Sequence, residues 1–206
     1  MPRQGPVTYW RPEAWVPYSY LLGMYLGDGC ISGQPPGSFY LRITLDIRQV
    51  GIARESAIAI ASVLDVRVRH CEEPHMGRRY IQASSPIWPL VFPQHGPGKK
   101  HSRPIVLDSW QREIVDAHPR EFLRGLIHSD GCRTVNRFTT VLPRGGPREY
   151  AYVRYFFSNE SGDIRRLFCE YCERLGIRWT QSNRRNISVA HRPSVELLDT
   201  FVGAKY

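Results

Sequence analysis

Apolar and polar residues alternate one by one from Leu41 to Arg48, with Leu41, Ile43, Leu45 and Ile47 separated by Arg42, Thr44, Asp46 and Arg48. That period belongs to a strand with one buried and one wetted face. The period then lengthens: residues 50–64, VGIARESAIAIASVL, carry apolar positions at helical spacing, as does DIRRLFCEYCERLG at 163–176. Pro17 and Pro119 suit the first turn of a helix, and Gly29 and Gly131 suit a left-handed cap at its C-terminal end. A hairpin is expected from 66–71 and 78–83 around EEPHMG, and a tighter one within 177–190 around NRR. Short helices at about 86–92 and 193–202 follow.

These elements occur twice. A shift of 102 residues aligns Pro17 with Pro119, Leu21 with Leu123, Gly23 with Gly125, Asp28 with Asp130, Gly29 with Gly131 and Cys30 with Cys132, six identities in fourteen positions. Downstream, YLRITLDI matches YVRYFFSN and pairs Arg42 with Arg154. VLDVRVR matches RLGIRWT and pairs Arg67 with Arg178, while RRYIQAS matches RRNISVA and pairs Arg79 with Arg185. The expectation is an α+β chain of two pseudo-symmetric αββαββα halves, 1–103 and 104–206, each an antiparallel sheet backed by helices on one face. The other face is rich in Arg, Thr, Ser, Gln and Asn.

Composition narrows the function. With 206 residues, 42% of them hydrophobic, the chain has material for a real core. No apolar run approaches a membrane span or a signal peptide, so a soluble, intracellular, cytoplasmic protein is expected. A net charge of +9 favours a polyanionic partner. Of the 28 basic residues only Lys99, Lys100 and Lys205 are lysine. Where Arg is used nearly everywhere, a retained Lys marks a place for a compact ammonium. Cys169 and Cys172 have metal-like spacing but lie in a helical pattern without a second pair, so they read as small apolar residues of one face.

Gly23 and Gly27, and Gly125 and Ser129, are spaced by four and give each first helix a strip of small residues for close approach of two backbones. Asp28 and Asp130 are not explained by packing. A carboxylate at a helix C-terminus costs about 0.3–1 kcal/mol, and two of them about 5 Å apart add roughly 3 kcal/mol of repulsion. A divalent cation with oxygen ligands, Mg²⁺ by preference, offsets both penalties.

LLGMYLGDG at 21–29 and LRGLIHSDG at 123–131 resemble the two signature helices of the LAGLIDADG homing endonucleases in their single-chain form, and the resemblance extends over nearly the whole chain. It implies two halves joined at a two-helix interface to form a DNA-binding saddle. It also implies a staggered double-strand break made by metal-dependent hydrolysis. Asp28, Asp130, Gly27 and Ser129 would stand at the metal, which would be Mg²⁺, with Mn²⁺ as a substitute and Ca²⁺ allowing binding without cleavage. Double-stranded DNA would be the partner of a monomer. The family's cation for positioning water falls on Lys100, 19 residues after Ile81, and Lys205, 18 residues after Ile187. Where the family often has Gln at the strand end, this chain has Asp46 and Ser158; Asp46 either adds a ligand or water contact or repels the phosphate. Leu26 and His128 replace the acid of the sixth motif position, and His128 reads as a packing or surface residue.

The polar strand faces supply candidate groove contacts: Arg42, Thr44, Asp46, Arg48, Arg67, Arg69, Arg78, Tyr80, Gln82, Arg133, Arg137, Arg154, Ser158, Arg178, Thr180, Ser182, Arg184, Asn186 and Ser188. About half are expected to touch DNA, many at phosphate. The halves differ at most of these positions, so the site is expected to be long and asymmetric. Two other readings use the same fold, a non-cleaving DNA-binding regulator and an RNA-splicing maturase. Retention of both acids and a lysine in each half favours the enzyme.

Overall fold

The computed structural model describes residues 10–33, 37–142, 146–203 and 205, with only the backbone described at 142. The signal-peptide reading therefore rests partly on residues 1–9, which lie outside the described residues. In the first half, α1 (Trp15–Asp28) leads into β1 (Gly29–Ser32), β2 (Phe39–Asp46), α2 (Val50–Val63), β3 (Val68–Glu73), β4 (Arg78–Ser85) and α3 (Trp88–Val91). A connecting helix α4 (Ser109–Ala117) precedes the second set: α5 (Pro119–Asp130), β5 (Gly131–Leu142), β6 (Gly146–Ser158), α6 (Gly162–Arg174), β7 (Thr180–Gln181), β8 (Asn186–Val189) and α7 (Arg192–Asp199). The sheets run β1-β2-β4-β3 and β5-β6-β8-β7, so the αββαββα order holds in both halves.

Burial follows the alternation. Leu41, Ile43 and Leu45 are buried beneath the helices, as are Tyr155 and Phe157 in the second half. Between the halves α1 and α5 pack backbone to backbone. A Cβ on Gly23 would lie 2.5 Å from Phe122 O and 2.9 Å from Gly125 Cα, so side chains are excluded there. No helix among the described residues is long and apolar enough to cross a membrane.

Three expectations are corrected. Gly29 and Gly131 are extended, at φ −85° and −103°, not left-handed, because each helix runs directly into a strand. Glycine is needed there for clearance: a Cβ at Gly29 would lie 2.5 Å from Tyr25 Cα, and one at Gly131 2.8 Å from Ile127 Cα. The first half's strand ends at Asp46, leaving Arg48 in the following turn.

The repeat alignment also slips by two residues. Gly29 pairs with Ile43 and Gly131 with Phe157, while Ile81 faces Ile43 and Ile187 faces Phe157. The structural counterpart of Arg42 is therefore Phe156, not Arg154, and that of Thr44 is Ser158. A slip of two keeps every side chain on its own face, so hydrophobic patterning is blind to it.

Candidate active site

Asp28 and Asp130 are the last residues of α1 and α5. Close packing of the small residues brings these ends together: a Cβ on Gly27 would stand 3.0 Å from Asp130 Oδ2. Burial, with the Asp130 charge second, pushes the Asp28 carboxyl up to about 7 against the opposing pull of Lys205 and Lys100. Burial also raises the Asp130 carboxyl, held back by a hydrogen bond from Asn159 and by both lysines. Asn159 Nδ2 donates to Asp130 Oδ2 at 2.5 Å.

The two lysines close the same helix ends. Lys100 Nζ donates to the carbonyls of Tyr25, Gly27 and Gly29 at 2.5, 2.8 and 2.7 Å, and Lys205 Nζ to those of Ser129 and Gly131, both at 2.9 Å. An ammonium has three N–H donors, so among the described residues Lys100 is saturated and Lys205 has partners for two. Burial lowers the Lys100 ammonium to about 8 and lowers Lys205 as well, while the carboxylates oppose the shift. Lysine thus takes the place of a left-handed cap as a partner of the last-turn carbonyls of Gly27 and Ser129.

A cleft opens beside each lysine, and each combines the two halves. One of about 660 Å³ is lined by Lys205 together with Asp46, Arg48, Cys132 and Arg133. The other, about 370 Å³, joins Lys100 to Asp130, Ser158 and Asn159. Asp46 does not stand free in its cleft. Arg48 grips its carboxylate through Nε and Nη2 at 2.9 and 2.8 Å and holds its pKa far below the usual range.

The donor set fits a hard divalent cation. Two carboxylates converge beside the carbonyls of Gly27 and Ser129, each of which receives a lysine and keeps a second lone pair. Mg²⁺ is commonly held by one or two carboxylates and completed by water and substrate phosphate. Among the described residues no group of three or more His, Cys, Asp and Glu could hold a metal.

The register sorts the groove candidates. Arg42, Thr44, Asp46, Arg69, Arg78, Tyr80 and Gln82 share the face away from the helices, as do Arg154, Ser158, Thr180, Asn186 and Ser188 in the second sheet. Arg67 and Arg178 lie exposed just before β3 and β7, and Ser182 and Arg184 in the turn before β8. Arg133 and Arg137 are on the opposite face. Arg133 meets the Asp199 carboxylate through Nε and Nη2 at 2.8 and 2.9 Å, and Arg137 shares its parity. They were expected at DNA because strand parity cannot be read from β5, whose two faces are both largely polar.

Asn159 gains a role that sequence reasoning did not assign, and His128 takes a buried packing role. Asn159 follows the strand and its Oδ1 accepts Ser161 N at 2.7 Å, so the Asn-x-Ser turn opening α6 was the available signal. His128 is buried, with Nδ1 3.0 Å from Tyr20 Oη and Nε2 2.7 Å from Val202 O. It ties the segment leading to Lys205 onto the helix pair. Burial lowers its pKa from 6.5 to about 4, so its stabilising neutral form is fully present above pH 6.5 and lost as pH falls towards 4. Urea unfolding of wild type and His128→Gln at pH 7 and 4.5 is expected to show the wild type losing about 2 kcal/mol relative to the variant. A pH-independent difference would remove His128 as the titrating group.

No protein-family model matches the chain, and no curated protein matches it. Solved structures do. The chain is similar to the homing endonuclease I-DmoI in complex with DNA and Mn, at 14% identity and TM-score 0.54 over 93% of this chain and 99% of that one. It is similar to the LAGLIDADG homing endonuclease I-LtrWI bound to target DNA, at 9% identity and TM-score 0.56 over 91% and 84%. It is also similar to the N-terminal LAGLIDADG domain of WhiA, at 15% identity and TM-score 0.55 over 92% and 83%. At such identities the likeness is one of fold: the chain has the LAGLIDADG fold in its single-chain, two-repeat form.

Proposed function

We propose that this chain, built on the LAGLIDADG fold in both halves, is a site-specific DNA endonuclease that makes a staggered double-strand break at a long asymmetric site by divalent-metal-dependent hydrolysis. The observation that carries the reading is Asp28: a carboxyl pushed up to about 7 by burial and a second acid, at the negative end of a helix, is a poor choice for folding alone. Asp28 and Asp130, with the carbonyls of Gly27 and Ser129, would hold Mg²⁺ or Mn²⁺, and Ca²⁺ would support binding without cutting. A divalent ion supplies a nucleophilic water at neutral pH and stabilises charge on the phosphate.

Lys100 and Lys205 act as fixed ammonium groups at the helix ends, and the charge of Lys205, which lines its cleft, serves the water or phosphate there. Asn159 orients the Asp130 carboxylate. The polar sheet faces take the DNA, with halves 1–103 and 104–206 each reading one side in a monomer that needs no protein partner.

A pool of random duplexes enriched for binding in Ca²⁺ and then transferred to Mg²⁺ tests this. Cleavage of the enriched duplexes in Mg²⁺ or Mn²⁺ supports the endonuclease, with binding that falls steeply as salt rises. Tight binding without cleavage in any of these metals would replace the endonuclease with a DNA-binding regulator, and preference for RNA over DNA would favour the maturase.

A further inference from the structure

Two arginines on the polar face are held in the same way at positions that are not equivalent. Arg42 sends Nε and Nη2 to one acceptor, Gln82 Oε1, at 3.3 and 2.9 Å, and its guanidinium lies 4.4 Å from the Tyr80 ring centroid. Arg154 sends Nε and Nη2 to Ser188 Oγ, with Nε at 3.1 Å, and lies 4.2 Å from the Phe156 ring centroid. Gln82 and Ser188 are register equivalents, since Cys30 pairs with Arg42 opposite Gln82 and Cys132 with Phe156 opposite Ser188.

Other arginines are already neutralised: Arg48 by Asp46, Arg78 by Glu73 and Arg133 by Asp199. Arg42 and Arg154 instead have uncharged side-chain acceptors and an aromatic face. Gln82 and Ser188 take Nε and one N–H of Nη2 and fix the plane, which leaves the Nη1–Nη2 edge of each guanidinium, where Arg154 Nη1 also reaches Tyr152 Oη at 3.5 Å. That edge is the fork that matches guanine O6 and N7 in the major groove.

We infer that Arg42 and Arg154 are fixed readers of guanine, one in each half-site, at unequal distances from the cleavage centre. Arg42 pairs one residue beyond Gly29, whereas Arg154 pairs with Thr134, three beyond Gly131. The nearer stacked rings are one row apart as well, Tyr80 opposite Thr44 and Phe156 opposite Cys132. Two residues of strand span about 6.7 Å. With the strands running along the groove, that is about two base-pair steps of 3.4 Å. The inference rests on the polar sheet faces being the DNA surface.

The test sequences the duplexes that wild type, Arg42→Ala, Arg154→Ala and Arg42→Lys enrich from a random pool in Ca²⁺. Wild type is expected to enrich a guanine in each half-site, one about two base pairs farther from the centre than the other. Each alanine variant is expected to lose discrimination at its own guanine by about tenfold or more and nowhere else. Arg42→Lys keeps the charge and is expected to bind with nearly unchanged strength while losing that guanine, which separates base reading from misfolding. Uniform weakening across all sequences would make both arginines phosphate contacts and overturn the inference. Equidistant guanines would overturn it as well. If wild type enriches an asymmetric site and the variants leave every preference intact, only the inference falls; if wild type enriches nothing, the DNA reading falls with it.

Discussion

Asp28→Asn is expected to abolish double-strand cleavage while leaving DNA binding intact and making the metal-free protein more stable at neutral pH. Asparagine keeps the shape of the side chain but cannot neutralise a divalent ion. If the metal contributes several kcal/mol to the reaction, its loss slows cleavage by about a thousandfold or more. The gain in stability follows from the raised pKa. In the folded protein the Asp28 acid form is preferred up to about 7 against an ordinary 3.8. Its contribution is therefore fully present below pH 3.8 and lost as pH rises through 7, where the carboxylate must charge inside the fold. Removing it relieves about 2–4 kcal/mol at pH 7.5. Melting curves without metal should place Asp28→Asn above wild type at pH 7.5 and level with it near pH 4, while single-turnover cleavage and filter binding measure the other two effects. A variant that melts lower at pH 7.5 and still cuts would show that Asp28 is a structural residue.

Gly125→Val is expected to cost about 3–5 kcal/mol, more than the 1–3 kcal/mol of ordinary overpacking. The atoms a Cβ would meet are Gly23 Cα and Met24 N, both at 3.0 Å, and Tyr20 O; all are backbone of the facing helix. Backbone cannot rotate aside, so the helices must separate, and Asp28 and Asp130 separate with them. Against a total stability of 5–15 kcal/mol this is a large loss, visible as a fall in Tm of about 10 °C or more. Gly162→Ala is the control, because its Cβ would meet only the ends of the Arg165 and Arg166 side chains at 3.7 and 3.9 Å. Equal melting of Gly125→Val and wild type would mean that the helix pair is not tightly packed.

Much of this centre was legible in the chain because its parts are local. The repeated Pro, Gly and Asp-Gly-Cys positions located α1 and α5 and their acids, and counting from Ile81 and Ile187 located the two lysines that cap them. What stayed hidden depended on register or on contacts distant in sequence. A two-residue slip leaves hydrophobic alternation unchanged, so Arg42 and Arg154 aligned in sequence although they stand in different rows. Arg133 faces Asp199, 66 residues away, a partner that strand patterning cannot identify. Arg48 grips the Asp46 carboxylate, a contact that strand alternation alone does not reveal. Asn159 was missed because the repeat drew attention to its neighbour Ser158, whereas the side chain that reaches Asp130 comes from the turn. Gly29 and Gly131 were recognised as required, but for the wrong reason: clearance over the preceding turn demands them, not a positive φ.

The central claim is that two acids at the paired helix ends serve metal-dependent DNA cleavage. The most direct measurement maps the ends produced when a Ca²⁺-selected duplex is moved into Mg²⁺ with wild type or the Asp28→Asn, Asp130→Asn double variant. The account predicts one break in each strand, staggered about the centre of the selected site with wild type, and intact but still bound duplex with the variant. Wild type leaving the duplex intact, or the double variant cutting it at the same positions, would contradict it.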